Sequence, residues 1–304
     1  MFFRLYRVIG VAGLSRSGLD NRPASSMRAL SIICLLTLLA GGAGASAASL
    51  PSPQQVNIPV KGGVLHAQLY RPEGSGPFPA VIALHACGGL PGRTDPVKLR
   101  YRDWAERLLK SGNAVLLPDS YGSRQLGPQC NVKEPRLHAR RERVVDIMAS
   151  RQWLLQQSWV AHDRISLIGW ANGASALLWA VRPQAPRRKG EPDFHSAVAF
   201  YPDCRLSAGL GWSARVPTLL LIGGSDNVSS PSACRQMVDG AHGRSALVRI
   251  VVYPGADHDF DRANLPQNAS AGTTQGETSD PRQRGTDTEA RTEAHKLVAQ
   301  WLTR

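Results

Sequence analysis

The sequence predicts an α/β fold, one mostly parallel central sheet with helices on both faces in a single domain. Three observations predict it. Short runs such as residues 80–84 are apolar at every position, as strands buried on both faces require. Helix-sized segments separate these runs, which argues for parallel β-α-β units. Each run also ends in a polar or turn-forming group, and the carboxyl edge of such a sheet is where function collects.

Residues 55–60 and 64–70 read as two strands that turn at Gly62-Gly63 and form an antiparallel edge. After a turn at 74–79 come the buried-type runs 80–84, 114–117, 165–168, 197–200, 218–222 and 248–252. Helices are predicted over 98–110, 136–157, 173–181, 230–238 and 287–301. Residues 264–286 are rich in Asn, Gln, Gly, Ser, Thr and Pro and predict a mobile loop, either filler or a lid.

The apolar run 29–40 is too short for a bilayer core that needs roughly twenty helical residues. Met27-Arg28 before it and the small residues 41–48 after it make it a signal sequence, with Ala45-Ser46-Ala47 as the cleavage site. Residues 1–47 therefore read as an amino-terminal extension and signal peptide, and 48–304 as the functional domain. Export to the periplasm or medium follows, with no stable transmembrane segment after cleavage. Residues 1–26 precede a signal already complete from Met27, so either translation starts at Met27 rather than Met1 or the n-region is long.

With 42% hydrophobic and 19% charged residues the chain has the composition of a globular protein, which excludes a fibrous or largely disordered one. Its formal charge of +13 falls to +9 once the five arginines and one aspartate of residues 1–47 leave. Basic clusters such as Arg140, Arg141 and Arg143, or Arg187-Arg188-Lys189, read as solvated faces. No zinc-finger, helix-turn-helix or aromatic-plus-basic pattern accompanies them, so a nucleic-acid partner is not expected. Cys34 leaves with the signal, and the four cysteines that remain predict two disulfides, with three pairings open.

The chemistry concentrates in three segments. Residues 165–175 run from a buried strand through Gly169-Trp170-Ala171-Asn172-Gly173 into an apolar helix, the layout of a nucleophile elbow. Asp226 follows the strand at 218–222, and His258 follows the strand at 248–252, in the chain order nucleophile, acid, base. There the carboxylate would orient the imidazole, whose other nitrogen faces the nucleophile position. An oxyanion hole needs two backbone N–H donors, and Asn172 and Cys87 are placed to supply them, with Gly88-Gly89 allowing close approach. His85 reads as structural.

These motifs resemble the dienelactone hydrolase family, especially its exported members. The resemblance rests on L-H-A-C-G-G-L at 84–90, L-P-D-S-Y at 117–121, I-G-W-A-N-G at 168–173, Y-P-D-C at 201–204 and Y-P-G-A-D-H-D-F-D at 253–261. It implies an α/β-hydrolase fold and cofactor-free, metal-free hydrolysis of a small ester or lactone by a Cys or Ser, His, Asp triad. Asp226 and His258 match by position, and the nucleophile position holds Ala171. A methyl group has no nucleophilic atom, so the chain reads as a natural pseudoenzyme or a variant made to trap substrate. The alternatives are a small-ligand or partner-binding protein on a hydrolase fold, and a basic protein of the cell envelope.

Ala86 also replaces a usual glycine, which a negative φ would tolerate. Ser175 lies a helical turn beyond the elbow and should point down that helix, Ser120 is a neighbour, and a bridged Cys87 cannot attack. Arg124 and Trp170 are the candidate substrate contacts. Loop positions pair Cys87 with Cys130 and Cys204 with Cys234 at one sheet edge. The oligomeric state has no signature.

Overall fold

The runs that are apolar at every position become strands covered on both faces. In a computed structural model of the chain, which describes residues 51–130, 132–185, 190–263 and 287–304, eight strands form one sheet. Across the sheet the order is β1 (Gln54–Val60), β2 (Gly63–Tyr70), β4 (Ala114–Pro118), β3 (Phe78–Leu84), β5 (Val160–Trp170), β6 (Ala197–Phe200), β7 (Thr218–Gly223) and β8 (Val248–Tyr253). β1 and β2 pair antiparallel as predicted, β2 joins β4 antiparallel, and every pairing from β4 to β8 is parallel. Every residue of β4, β6 and β7 is buried, whereas β1, at the edge, buries only Ile58.

The helices are α1 (Leu99–Lys110), α2 (Glu142–Leu155), α3 (Asn172–Ala180), α4 (Arg205–Gly209), α5 (Pro231–Gly240) and α6 (Thr288–Leu302). The chain crosses from β3 to β4 through α1, then back over β3 to β5 through α2. With right-handed crossovers those opposite directions put α1 and α2 on opposite faces. α6 joins α1, since Arg291 pairs with Asp103 at 2.8 Å and the His295 ring lies 4.8 Å from Trp104. The order reverses at β3, which opens a crevice at the carboxyl ends of β3 and β5.

Two boundaries differ from the sequence reading. α2 begins at Glu142 rather than 136, where the Glu142 carboxylate accepts the His138 N–H at 2.7 Å and closes a turn. β5 starts at Val160, because its polar residues His162 and Asp163 sit at an exposed strand end outside the apolar signal. The predicted signal peptide at 1–47, the predicted loop at 264–286 and the cluster Arg187-Arg188-Lys189 lie outside the described residues. No helix among the described residues is long and apolar enough to cross a membrane.

Disulfides join Cys87 to Cys130 and Cys204 to Cys234, with Cα separations of 4.8 Å and 5.0 Å. The second lies at the start of α4 and on α5, wholly buried.

Candidate active site

β5 delivers the chain to the crevice and α3 takes it away, with Ala171 at the corner. Its backbone has φ 47° and ψ −111°, a region that costs an L-residue on the order of 1–3 kcal/mol and persists only where neighbours enforce it. The neighbours are visible. Ala171 N–H donates to Phe200 O at 3.0 Å, and Ser175 N–H donates to Ala171 O at 2.9 Å. A Cβ on Gly169 would lie 2.8 Å from the backbone of Gly173 and Ala174, and one on Gly173 would lie 2.2 Å from Leu84 O. Both glycines of the pentapeptide are thus required by close backbone approach, and Gly173 lets α3 start against the end of β3. The N–H groups of residues 172–174 begin a helix and have no acceptor within it.

Asp226 and His258 come from the loops after β7 and β8. A Cβ on Gly223 would meet Ala256 O at 2.2 Å, and the Gly224 and Ser225 N–H groups donate to Tyr253 O and Ala256 O at 2.7 Å and 3.0 Å, so the two loops are laced together. Asp226 Oδ1 accepts the N–H groups of Val228 and Ser229 at 2.9 Å and 2.8 Å. That leaves Oδ2 for His258 Nδ1, at 2.8 Å, with both residues almost wholly buried. The Tyr201 ring packs 4.5 Å from the imidazole, and Tyr201 OH donates to Asp261 Oδ1 at 2.5 Å. Asp261 Oδ2 also accepts the indole N–H groups of Trp104 and Trp170, at 2.8 Å and 2.9 Å. This buried carboxylate, three residues past His258, anchors the loop.

A cavity of about 580 Å³ opens over Ala171 and His258, walled also by Cys87, Cys130, Lys98 and Arg100. Arg100 pairs with Asp259 at 2.5 Å. Burial pulls its guanidinium pKa down, and Asp259, with smaller help from Tyr201, Asp261 and Tyr101, more than offsets that, so it stands above its ordinary value. Burial holds the Lys98 ammonium below its usual range, with Arg100 and Arg262 adding to the effect, and its Nζ donates to Gly88 O. Among the described residues no group of three or more His, Cys, Asp or Glu side chains gathers as a metal site.

Ala171, His258 and Cys87 therefore share one cavity, Asp226 stands behind His258, and Asn172 follows Ala171 at the first position of α3. Two candidate contacts are not brought there. The Arg124 guanidinium is held by a bidentate pair with buried Asp146 at 2.7 Å and 3.0 Å and by Ser120 O, so it is a clamp between the loop after β4 and α2. Trp170 has no exposed surface, stacks on Phe200 with ring centroids 5.8 Å apart, and lies under the site in the core. Alternation explains it: neighbours in a strand point to opposite faces, and Trp170 precedes the corner.

Ser175 Oγ donates to Ala171 O and accepts the Asp203 N–H, directed away from the cavity. Ser120 is buried, and its N–H donates to His85 Nε2 at 3.2 Å. His85 Nδ1 donates to Ala86 O at 2.8 Å. Burial, and after it the Arg143 charge, keep this imidazole well below its ordinary pKa, so it is neutral and structural. Ala86 does not have a positive φ, and its methyl adds no backbone strain.

Arg143 departs from the solvated-face reading. It is 1% exposed, donates to Asn172 Oδ1 at 2.7 Å and lies over the Tyr121 ring, whose OH reaches the same oxygen at 3.1 Å. Burial lowers its pKa, with Tyr121 and Asp146 opposing. Its position was legible from spacing, since residues 143, 147, 150, 151 and 154 share the buried side of α2.

A strained corner between a strand and a helix, facing a His–Asp pair from the next strand ends, defines the α/β-hydrolase class. Residues 65–304 match the dienelactone hydrolase family, and the chain belongs to it. Solved structures with the same fold include a candidate dienelactone hydrolase from Klebsiella pneumoniae subsp. pneumoniae, 20% identical over 83% of this chain and 98% of that one, with a TM-score of 0.61. A dienelactone hydrolase from Anabaena variabilis has the same identity and coverage and a TM-score of 0.57. Esterase 2 from Thermogutta terrifontis, phosphorylated by paraoxon, is 17% identical over 84% and 94%, with a TM-score of 0.60. A comparison with curated proteins found no match.

Proposed function

We propose that the chain is an exported carboxylic-ester or lactone hydrolase scaffold that lacks its covalent route because Ala171 occupies the nucleophile position. The observation that carries this reading is the φ of 47° at Ala171, a strained corner kept beside a His258–Asp226 pair at 2.8 Å. In this reading His258, oriented by Asp226, takes a proton from a water in the cavity, and the N–H groups of Asn172 and Cys87 hold the oxyanion. Loss of one triad member leaves roughly 10³- to 10⁴-fold enhancement over water in related triads, so the chain hydrolyses activated esters slowly. The two disulfides support export. Retention of a cavity of about 580 Å³ over a site without a nucleophile favours, as the second reading, a small-ligand binding protein.

The test compares p-nitrophenyl ester hydrolysis by the oxidised parent, Ala171→Ser, and Ala171→Ser with His258→Ala. Serine should raise the rate by about 10³-fold and react with an organophosphonate at position 171, and the second change should abolish both. A fast oxidised parent refutes the assignment of the site. A serine variant that gains nothing, while the parent binds a lactone without turnover, selects the binding reading.

A further inference from the structure

The cavity over Ala171 has a sulfur wall. Cys87 and Cys130 both line it, alongside His258, Lys98 and Arg100. Cys204 and Cys234 are each 0% exposed, whereas Cys130 is exposed and Cys87 half-buried. One bridge thus meets whatever enters the cavity, and the other does not. Thiol–disulfide exchange needs an accessible sulfur to attack and a leaving thiolate that its surroundings stabilise. Cys130 provides the first. Cys87 provides the second, because the Lys98 ammonium shares its wall and donates to Gly88 O, one residue away, while Arg100 there is paired with Asp259.

We propose that the Cys87–Cys130 disulfide is a masked nucleophile, opened by a small thiol to release Cys87 as a thiolate into the cavity. The incoming thiol loses its proton to solvent and attacks Cys130 Sγ. A new S–S bond forms there, the Cys87–Cys130 bond breaks, and the electron pair leaves on Cys87 Sγ. That thiolate adds to an ester carbonyl and expels the alkoxide, which takes a proton from water, leaving a thioester on Cys87. Water, deprotonated by His258, then hydrolyses the thioester and returns the thiolate. Attack of Cys87 on the mixed disulfide expels the small thiol and masks the site again.

Hydrogen bonds hold the loop beside the bridge. Gln129 N–H donates to Cys87 O at 2.7 Å, Ala86 N–H to Tyr101 OH at 2.9 Å, and Gly89 N–H to Ala86 O at 3.1 Å. The inference shares the His258 base with the proposed function and needs no nucleophile at position 171, so the two fail separately.

The experiment treats the parent chain with reduced glutathione, removes free thiol, and follows p-nitrophenol release from p-nitrophenyl acetate beside peptide mass mapping. Glutathione should appear on Cys130 with Cys204–Cys234 intact, and a burst of about one equivalent should leave an acetyl group on Cys87. Cys130→Ser should show the same burst without any thiol, and adding His258→Ala should slow thioester hydrolysis about 10²-fold. If Cys130→Ser does not fold, the glutathione-treated parent decides alone. A mixed disulfide with no burst, both bridges opening together, or a folded Cys130→Ser no faster than the oxidised parent overturns the proposal. Should that happen while Ala171→Ser is active, the hydrolase reading survives; a burst at Cys87 with an inert serine variant supports the masked thiol and removes position 171 as the nucleophile site.

Discussion

His258 and Asp226 meet through side chains carried by two loops, whereas Ala171 is fixed by backbone packing at one corner. In the first half, Asp226 has each carboxylate oxygen committed, one to two N–H groups and one to the imidazole. In the second, the backbones of Gly169, Gly173 and Leu84 meet at contact distance, and the side chains that reach the corner, Ser175 on Ala171 O and Arg143 and Tyr121 on Asn172, belong to residues other than 171. The Ala171 side chain therefore contributes none of the bonds that support the turn. Truncating Asp226, by contrast, would remove its bonds to Val228, Ser229 and His258 together. This difference explains how the corner stays strained around a methyl group.

The largest expected effect lies in the acid–base half. In the Ala171→Ser background, Asp226→Asn should lower kcat by about 10⁴-fold, because an amide facing Nδ1 favours the wrong imidazole tautomer. Thermal unfolding should change little, since the amide oxygen can still accept from Val228 and Ser229. A loss of activity matched by a collapse in stability would mean that the pair is chiefly structural.

Next comes the corner. Gly173→Ala should destabilise the chain by about 3 kcal/mol, because its Cβ would stand 2.2 Å from a main-chain oxygen that cannot yield without moving β3. Alanine normally gains on glycine inside a helix by about 1 kcal/mol, so the sign of the measured change decides which term rules. Denaturant midpoints of the parent and the variant supply it, and an unchanged midpoint would show that the corner relaxes.

Apolar continuity located β3, β4, β6 and β7, which are buried over most or all of their length, and the carboxyl part of β5; β8, at the far edge, exposes Arg249, buries only Tyr253 and was found from its remaining apolar residues. Antiparallel β1 and β2 were legible from their glycine turn. α4, five residues long, was missed, since so short a helix shows no periodicity. In the site, chain order and strand context pointed to Ala171, Asp226 and His258, and the structure places Ala171 and His258 in one cavity with Asp226 bonded to His258. The contacts of Arg124, Trp170 and Arg143 were not legible in the same way: each depends on which neighbour the fold brings, Asp146, Asp261 or Asn172, and those lie 22, 91 and 29 positions away.

The smallest expected effect belongs to His85, whose backbone oxygen packs against Gly173 at the corner. This imidazole is buried and neutral, held below its ordinary pKa by desolvation and then by Arg143, and its Nε2 must stay unprotonated to accept the Ser120 N–H. A base whose folded pKa is lowered leaves the unfolded chain to bind the proton first. Stability from this group is thus whole above the unfolded value near 6.5 and is lost as pH falls below it, by about 1 kcal/mol at pH 5.5. His295, pushed down to about 4 by burial and by Arg107 and Arg291, has the same sign and a smaller weight because it is partly solvated. Urea titrations at pH 7.5 and 5.5 should show the parent losing stability between them. His85→Gln should start less stable and lose less over the same interval. If parent and variant lose equally, His85 is not the source of the acid sensitivity.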